Sequence, residues 1–345
     1  MDIQNHYYGH SAVLAAYCGL PRPRHMSGLL QHGWTLVSPL PVHFGDFPRV
    51  GRRPDHRRLL VWSHRSRAWD PTAADRPTTA IGSPFLYLER TLRQQGWSPS
   101  TDGGPVFVPF HGTRLVRIRG DHKKLARQVA EADGPSTVCL HADDCSDPDL
   151  LDAWASAGHH LVTAGERNDP WFLPRIMHLV GTASRVSSNR LSTALMYAAA
   201  LGKPVRVHGD PLVPGVQEAT SLEEVERRWP EFHCESAPDD LRTIARDELG
   251  EHGLLSPAPL RDVLGWAGRW SAGPAFDYWV GSPIAKAGMV VGLTRRTEGS
   301  TVSLPDAGPL QFLRHPLSHL PNPLPRGLDQ PVATTAPLPV PTPRI

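Results

Sequence analysis

Short apolar runs closed by small or polar residues alternate, over most of this chain, with longer stretches whose apolar positions recur at helical spacing. Leu59-Leu-Val-Trp-Ser63, Thr78-Thr-Ala-Ile-Gly82, Val106-Phe-Val-Pro-Phe110, Thr137-Val-Cys-Leu-His141, His160-Leu-Val-Thr163 and Pro204-Val-Arg-Val207 read as buried strands. Residues 29–34 read as a strand end and a loop carrying His32 and Trp34. Between them, helices are predicted over 11–18, 84–95, 121–132, 148–157, 171–180 and 191–201, the last closed by Gly202 at the C′ position. Ser221 and Glu224 form a capping box before 222–229, and two amphipathic helices follow over 238–249 and 258–266.

Strand and helix in alternation predict α/β architecture with parallel sheets. Ser98-Pro-Ser-Thr-Asp-Gly-Gly-Pro105 looks like a linker between two such units. The expected organisation is an α/β domain over 1–97, the linker 98–105, a second α/β domain over 106–215, packing helices over 216–272 and an irregular, Pro-rich tail over 273–345. Pro-rich segments such as Pro337-Leu-Pro-Val-Pro-Thr-Pro343 carry few apolar anchors, so the tail is expected to be extended or disordered, passive or bound by an SH3-like partner.

Composition narrows the field. Hydrophobic residues make up 40% of the chain and charged residues 20%, which describes a soluble globular protein. A net charge of +2 gives no long-range field for nucleic acid. Arginine is dense between 49 and 67, a solvated loop or a patch for an anionic acceptor or a peripheral membrane contact. The four cysteines have no C-x-x-C spacing and are expected to be free thiols in a cytoplasmic protein, with no signal peptide and no membrane span. Oligomeric state stays open.

The chemistry-bearing residues sit where strands end: His111 and Thr113, His141 with Asp143 and Asp144, Gly165 and Glu166, then Ser188 and Asn189. Open α/β sheets bind ligands at the carboxyl ends of their strands. The stretch Ser187-Ser-Asn-Arg-Leu-Ser192 reads as a small-polar loop feeding a helix start, a place suited to phosphate because free amides and the helix dipole both favour an anion there. An ordinary N-cap on a crossover helix is the alternative.

Residues 187–205, with their small-polar loop, helix and closing Leu-Gly-Lys-Pro, resemble the donor-side element of GT-B glycosyltransferases. Phe107-Val-Pro-Phe-His-Gly-Thr113 is similar to the first strand and phosphate loop of that domain, and Ala80-Ile-Gly-Ser-Pro-Phe-Leu-Tyr87 to the last strand–turn–helix of the acceptor domain. With Val162-Thr-Ala-Gly165 and Asp169-Pro-Trp-Phe-Leu-Pro-Arg175, roughly residues 6–270 resemble GT-B-like proteins of polysaccharide and natural-product clusters. The acid that GT-B donor helices often present is absent: Arg190 and Ala194 occupy that neighbourhood.

The resemblance implies two Rossmann-like parallel-sheet domains facing a cleft, and a glycosyltransferase that takes a nucleotide sugar as co-substrate and a glycan or small molecule as acceptor. No separate cofactor and no metal is implied. Donor phosphate would be held by His111, Thr113, Ser187, Ser188, Asn189 and Ser192, with Arg114 or Arg190 as a charge clamp. Gly165 and Glu166 would touch the nucleotide, unless Glu166 pairs with Arg167. The base would be His32, His10 or His64; His32 is favoured because it is flanked by Gly33 at a strand end and lies close to Trp34, which with Arg65 would receive the acceptor. A sugar-nucleotide 2-epimerase, a CDP-alcohol phosphotransferase or a non-catalytic scaffold would use the same fold. No G-x-S-x-G or G-x-G-x-x-G motif supports a hydrolase or a dehydrogenase.

Overall fold

The β-forming runs assemble into two parallel sheets, and the helices between them pack so that their apolar faces meet. The computed structural model describes residues 3–40, 58–73, 77–112, 118–214, 220–234 and 236–268, with short pieces between 276 and 287 and at 336–337. Thr113, Arg114, residues 49–57 of the arginine-rich 49–67 stretch and nearly all of the Pro-rich tail lie outside these residues.

In the smaller sheet β1 (Gly28–Leu30), β2 (Arg58–Val61) and β3 (Thr78–Ala80) are parallel in that order. The larger contains β4 (Val106–Phe107), β6 (Thr137–Leu140), β7 (His160–Thr163), β8 (Val186–Ser188) and β9 (Val205–Val207), all parallel, in spatial order β7-β6-β4-β8-β9. An antiparallel ribbon, β5 (Ile118–Arg119) with β10 (Val213–Pro214), was not signalled by periodicity, and β11 (Ala336–Pro337) adds antiparallel to the outer edge of β7.

The helices are α1 (His10–Tyr17), α2 (Pro84–Gln94), α3 (His122–Asp133), α4 (Pro148–Ala155), α5 (Phe172–Thr182), α6 (Thr193–Ala200), α7 (Leu222–Arg228), α8 (Pro238–Glu248) and α9 (Pro257–Leu264). Sequence-local signals explain most of their boundaries. Asp121 and Asp147 cap α3 and α4 through their carboxylates, and Ser221 caps α7. Proline opens α2, α4, α8 and α9, where its missing N–H costs nothing.

One buried cluster joins both sheets. It takes Leu30, Leu60 and Trp62 from the smaller, Cys139, Val162 and Val186 from the larger, and the inner faces of α1, α2, α5, α6 and α8 between them. Phe85 of α2 stacks on Tyr197 of α6 with ring centroids 4.0 Å apart. Separate cores lie on the outer faces, Phe107, Leu125, Val138 and Trp154 beneath the larger sheet and Leu29, Leu59 and Val61 beneath the smaller. The two sheets therefore share an apolar middle layer rather than owning one core each.

The C-terminal helices bind both sheets. Glu248 at the end of α8 is buried, and its carboxylate accepts from the Trp34 indole (2.8 Å), the Ser66 hydroxyl (2.6 Å) and the Arg67 amide (2.7 Å). Arg246 pairs with the buried Glu89 of α2 at 3.0 Å and donates to the Ala200 carbonyl of α6. Beyond α9, the Trp266 indole donates to the His25 carbonyl. Among the described residues no helix is long and apolar enough to cross a membrane, and all four cysteines are free.

Candidate functional site

Parallel strands bring all their carboxyl ends to one edge, so residues remote in the chain meet there by topology alone. After β4, His111 donates from Nδ1 to the Gly112 carbonyl at 2.7 Å, the tautomer that leaves a lone pair on Nε2. Its ring stacks on His141, which follows β6, with centroids 4.2 Å apart and planes within 5°. His141 has the opposite tautomer, because its Nδ1 accepts from the Asp143 amide at 3.2 Å and its proton is left for Nε2. From the β7 end, Arg167 reaches Asp143 at 3.8 Å. From the β8 end, Asn189 accepts from the Phe110 amide at 2.7 Å, so the His111 and Ser187–Asn189 segments are neighbours.

The chain's N-terminus meets this edge. Tyr8 donates its amide to the Arg167 carbonyl at 2.6 Å, and its ring lies 4.9 Å from Phe172. Tyr8 adopts φ +56°, a left-handed conformation that is unusual for a side chain of this size, and Gly9 continues it at φ +72° against Pro170, where a Cβ would collide with the carbonyl. The Arg167 guanidinium lies 5.5 Å over the Tyr7 ring, a cation–π contact. His10, the first residue of α1, packs its ring 5.9 Å from Trp62 and 6.0 Å from Tyr8. His32, following β1, sits 6.0 Å from Tyr7 and 6.2 Å from Tyr8. Its loop is tied to the start of α6, since the Thr193 hydroxyl accepts from the Trp34 amide at 3.1 Å. The ends of strands from both sheets thus face one junction.

Burial sets the protonation of this junction. It depresses His10 to about 3, with nearby His32 adding to the effect. His32 falls to about 4 through burial and then the positive field of Arg167. His141 also falls to about 4 through burial and the stacked His111, against the opposing pull of Asp143. His111 is exposed, yet the protein packed around its ring lowers its pKa by desolvation. At neutral pH these are four uncharged imidazoles beside one guanidinium. Asp144 behind them is pushed up to about 6 by burial and by the neighbouring Asp143 and Asp147.

Several expectations change. His32 does not keep an ordinary histidine pKa, because it is enclosed and faces Arg167. Trp34 offers no stacking surface: it is 7% exposed, bonded to Glu248 and packed edge-on to Trp229 at 5.2 Å. His64 contacts Trp69 and the Thr78 hydroxyl rather than His10 or His32, and Arg65 is exposed beside it. Ser187 and Ser188 belong to strand β8 rather than a loop and are fully buried. Asn189 is engaged by Phe110 and by the Asp210 carbonyl at 2.9 Å. Arg190 is committed to the Pro211 (2.6 Å) and Leu212 carbonyls and covers the Phe110 ring, so it anchors a loop.

Ser192 opens α6 with its hydroxyl unused by the helix amides. Gly165 has φ +97° and lies against Asp169 and Arg175, whose ion pair closes the loop, while Glu166 points into solvent. Sequence reasoning missed Tyr8 and Arg167. An aromatic pair before a glycine and a helix start signals the first only weakly, and Arg167 was read only as a partner for Glu166.

No protein-family description and no curated protein matches the chain. Among solved structures it is similar to a mutant O-GlcNAc transferase of Thermobaculum terrenum, at 17% identity and TM-score 0.24, over 61% of this chain and 40% of that one. It is also similar to UDP-GlcNAc 2-epimerase from Neisseria meningitidis bound to UDP-GlcNAc, at 13% identity and TM-score 0.25, over 52% of this chain and 50% of that one. The chain spans half or less of either structure. Likeness of this degree places it in no family.

Proposed function

We propose that the junction binds a nucleotide-activated sugar and transfers the sugar to a hydroxyl acceptor. The observation that carries this reading is the convergence of strand ends from both sheets: Tyr8, His10 and His32 on one side, Arg167, His111 and His141 on the other. Glycosyl transfer needs a cation and hydrogen-bond donors where charge grows on the leaving phosphate, and a base for the acceptor. Arg167 supplies the charge. His141 Nε2–H and the amides that open α6 supply donors, since the eight-residue helix begins there with its Ser192 hydroxyl uncommitted.

His32, partly exposed where His10 is sealed, is the base. In the free protein its low pKa makes it a weak one. A bound diphosphate reverses that, because negative charge beside a buried imidazole raises its pKa. Above that raised pKa His32 stays neutral and can accept the acceptor's proton; below it binding is coupled to proton uptake, so affinity strengthens as pH falls through the raised pKa.

The test is a thermal-shift series with UDP, GDP, dTDP, CDP and CMP, followed by assay of nucleotide release from the sugar forms of whichever binds. The expected result is stabilisation by one nucleotide class and release that His32→Ala abolishes while binding persists. Indifference to every nucleotide would remove the proposal, and retained transfer in His32→Ala would remove the base assignment.

A further inference from the structure

A second polar centre lies on the other flank of the larger sheet. Strand β9 is the edge of that sheet among the described residues. Its pairing with β8 fixes which backbone groups face outward: the Pro204 carbonyl accepts from Val186, and the His208 amide donates to the Ser188 carbonyl. Residues 204, 206 and 208 therefore turn their backbone towards β8, and the N–H and C=O groups of Val205 and Val207 point away from the sheet. Val205 and Val207 line a cavity of about 660 Å³, to which His233, Cys234, Ser236 and Pro238 also contribute.

Two arginines line this cavity. Arg206 is exposed and has no carboxylate partner among the described residues; Arg185, just before β8, also lines it. Arg185 is partly neutralised by the buried Asp133 at 3.3 Å, but His208 shares that carboxylate at 2.8 Å. The cavity also holds Ser184, Ser236 and His233, whose Nε2 is buried with no hydrogen-bond partner. The acids of the first turn of α8, Asp239 and Asp240, are exposed and form no part of the lining.

We propose that this cavity is a binding site for a phosphate-bearing small molecule, separate from the strand-end junction. Residues of different origin line one space: Arg185 and Arg206, Val205 and Val207 with their outward amides, Ser184, Ser236 and His233. A tetrahedral oxyanion can satisfy such a set because it presents many lone pairs in several directions, whereas a carboxylate is planar and satisfies fewer. The volume exceeds that of a phosphate group, and Pro204, Val205, Val207 and Pro238 give the remainder apolar walls suited to a small organic body.

Cys234 supplies the readout. It is exposed and lines the cavity, its Sγ 3.3 Å from the Ser236 hydroxyl, whereas Cys18 and Cys139 are buried. Alkylation of Cys234 by iodoacetamide, followed by peptide mass spectrometry, is compared in inorganic phosphate, phenyl phosphate, acetate and chloride at equal ionic strength. Phosphate is expected to slow labelling several-fold, phenyl phosphate to do so at lower concentration, and acetate and chloride to have no effect. Arg206→Gln, an exposed strand position, should abolish the protection, as should Ser236→Ala in part, while Arg167→Ala leaves it intact.

Unchanged labelling in phosphate would overturn the proposal, as would protection that survives Arg206→Gln. Equal protection by acetate would overturn the choice of phosphate. Loss of protection in Arg167→Ala would assign the anion to the junction instead. Apart from that last outcome, these results do not bear on nucleotide binding, so the failure of this proposal and the failure of the junction reading are distinguishable.

Discussion

At the end of β8, Asn189 and Arg190 are occupied in holding backbone: one grips Phe110 and Asp210, the other Pro211 and Leu212. One and two strands away, after β4 and β6, His111 and His141 are held through a single ring nitrogen each and keep the other for a ligand. Both sets are polar, both close parallel strands, and they are neighbours in space. What separates them is whether the hydrogen-bonding capacity is already used. A buried polar side chain that has found its partners in the fold is a clamp; one with capacity to spare at an accessible edge can bind. The β8 end shapes the site, and the neighbouring ends furnish its chemistry.

Acid is the strongest way to strain this contrast. A histidine whose pKa is lowered by folding binds fewer protons in the native state than in the unfolded chain, so stability falls as pH drops below the unfolded value of about 6.5. His10 (about 3), His32 (about 4) and His141 (about 4) all act in this direction. Each can contribute up to about 1.4 kcal/mol per pH unit until its native pKa is reached. Asp144, raised to about 6, works the other way and gains stability as pH falls, offsetting part of one histidine. Denaturant melts from pH 7 to pH 4 should therefore show a net loss of several kcal/mol, and His10→Asn should flatten the slope. A flat profile in the wild type would mean that the imidazoles are solvated, and the neutral junction would go with them.

Smaller effects sharpen the other half of the comparison. Asn189→Ala leaves the Phe110 amide and the Asp210 carbonyl without partners, at a cost of about 2–3 kcal/mol by urea denaturation. Trp34→Phe removes the indole donor from the Glu248 carboxylate and should cost about 1–2 kcal/mol, with nucleotide affinity unchanged. Weakened affinity in Trp34→Phe would return that residue to the acceptor site. Ser188→Ala, at the end of the buried strand β8, removes a hydroxyl that accepts only weakly from the Arg190 amide and should change stability by under about 1 kcal/mol and binding not at all.

Much of the fold is legible because its signals are local. The runs at 137–140 and 160–163 are apolar and bounded, α3 carries its own aspartate cap, and proline opens α2 and α4. Ser187 and Ser188 mislead for the same reason. Small polar residues read as loop, and their burial in β8 depends on Asp133 and His208, brought alongside from distant parts of the sequence. The Tyr8–Arg167 contact has no periodic signature, being a left-handed turn in one segment pressed on a loop of another. The shared middle layer is likewise invisible in the chain: each helix shows an apolar face, and nothing in the pattern says that both sheets will cover it.

Calorimetric titration of the preferred nucleotide into Arg167→Ala, set beside Ser188→Ala and the wild type, tests the central claim most directly. The account predicts that Arg167→Ala weakens binding by about 100-fold, or about 2.7 kcal/mol, with its fold intact, while Ser188→Ala binds as the wild type does. Equal affinity in Arg167→Ala and the wild type, or a loss confined to Ser188→Ala, would contradict it and return the anion to the β8 end.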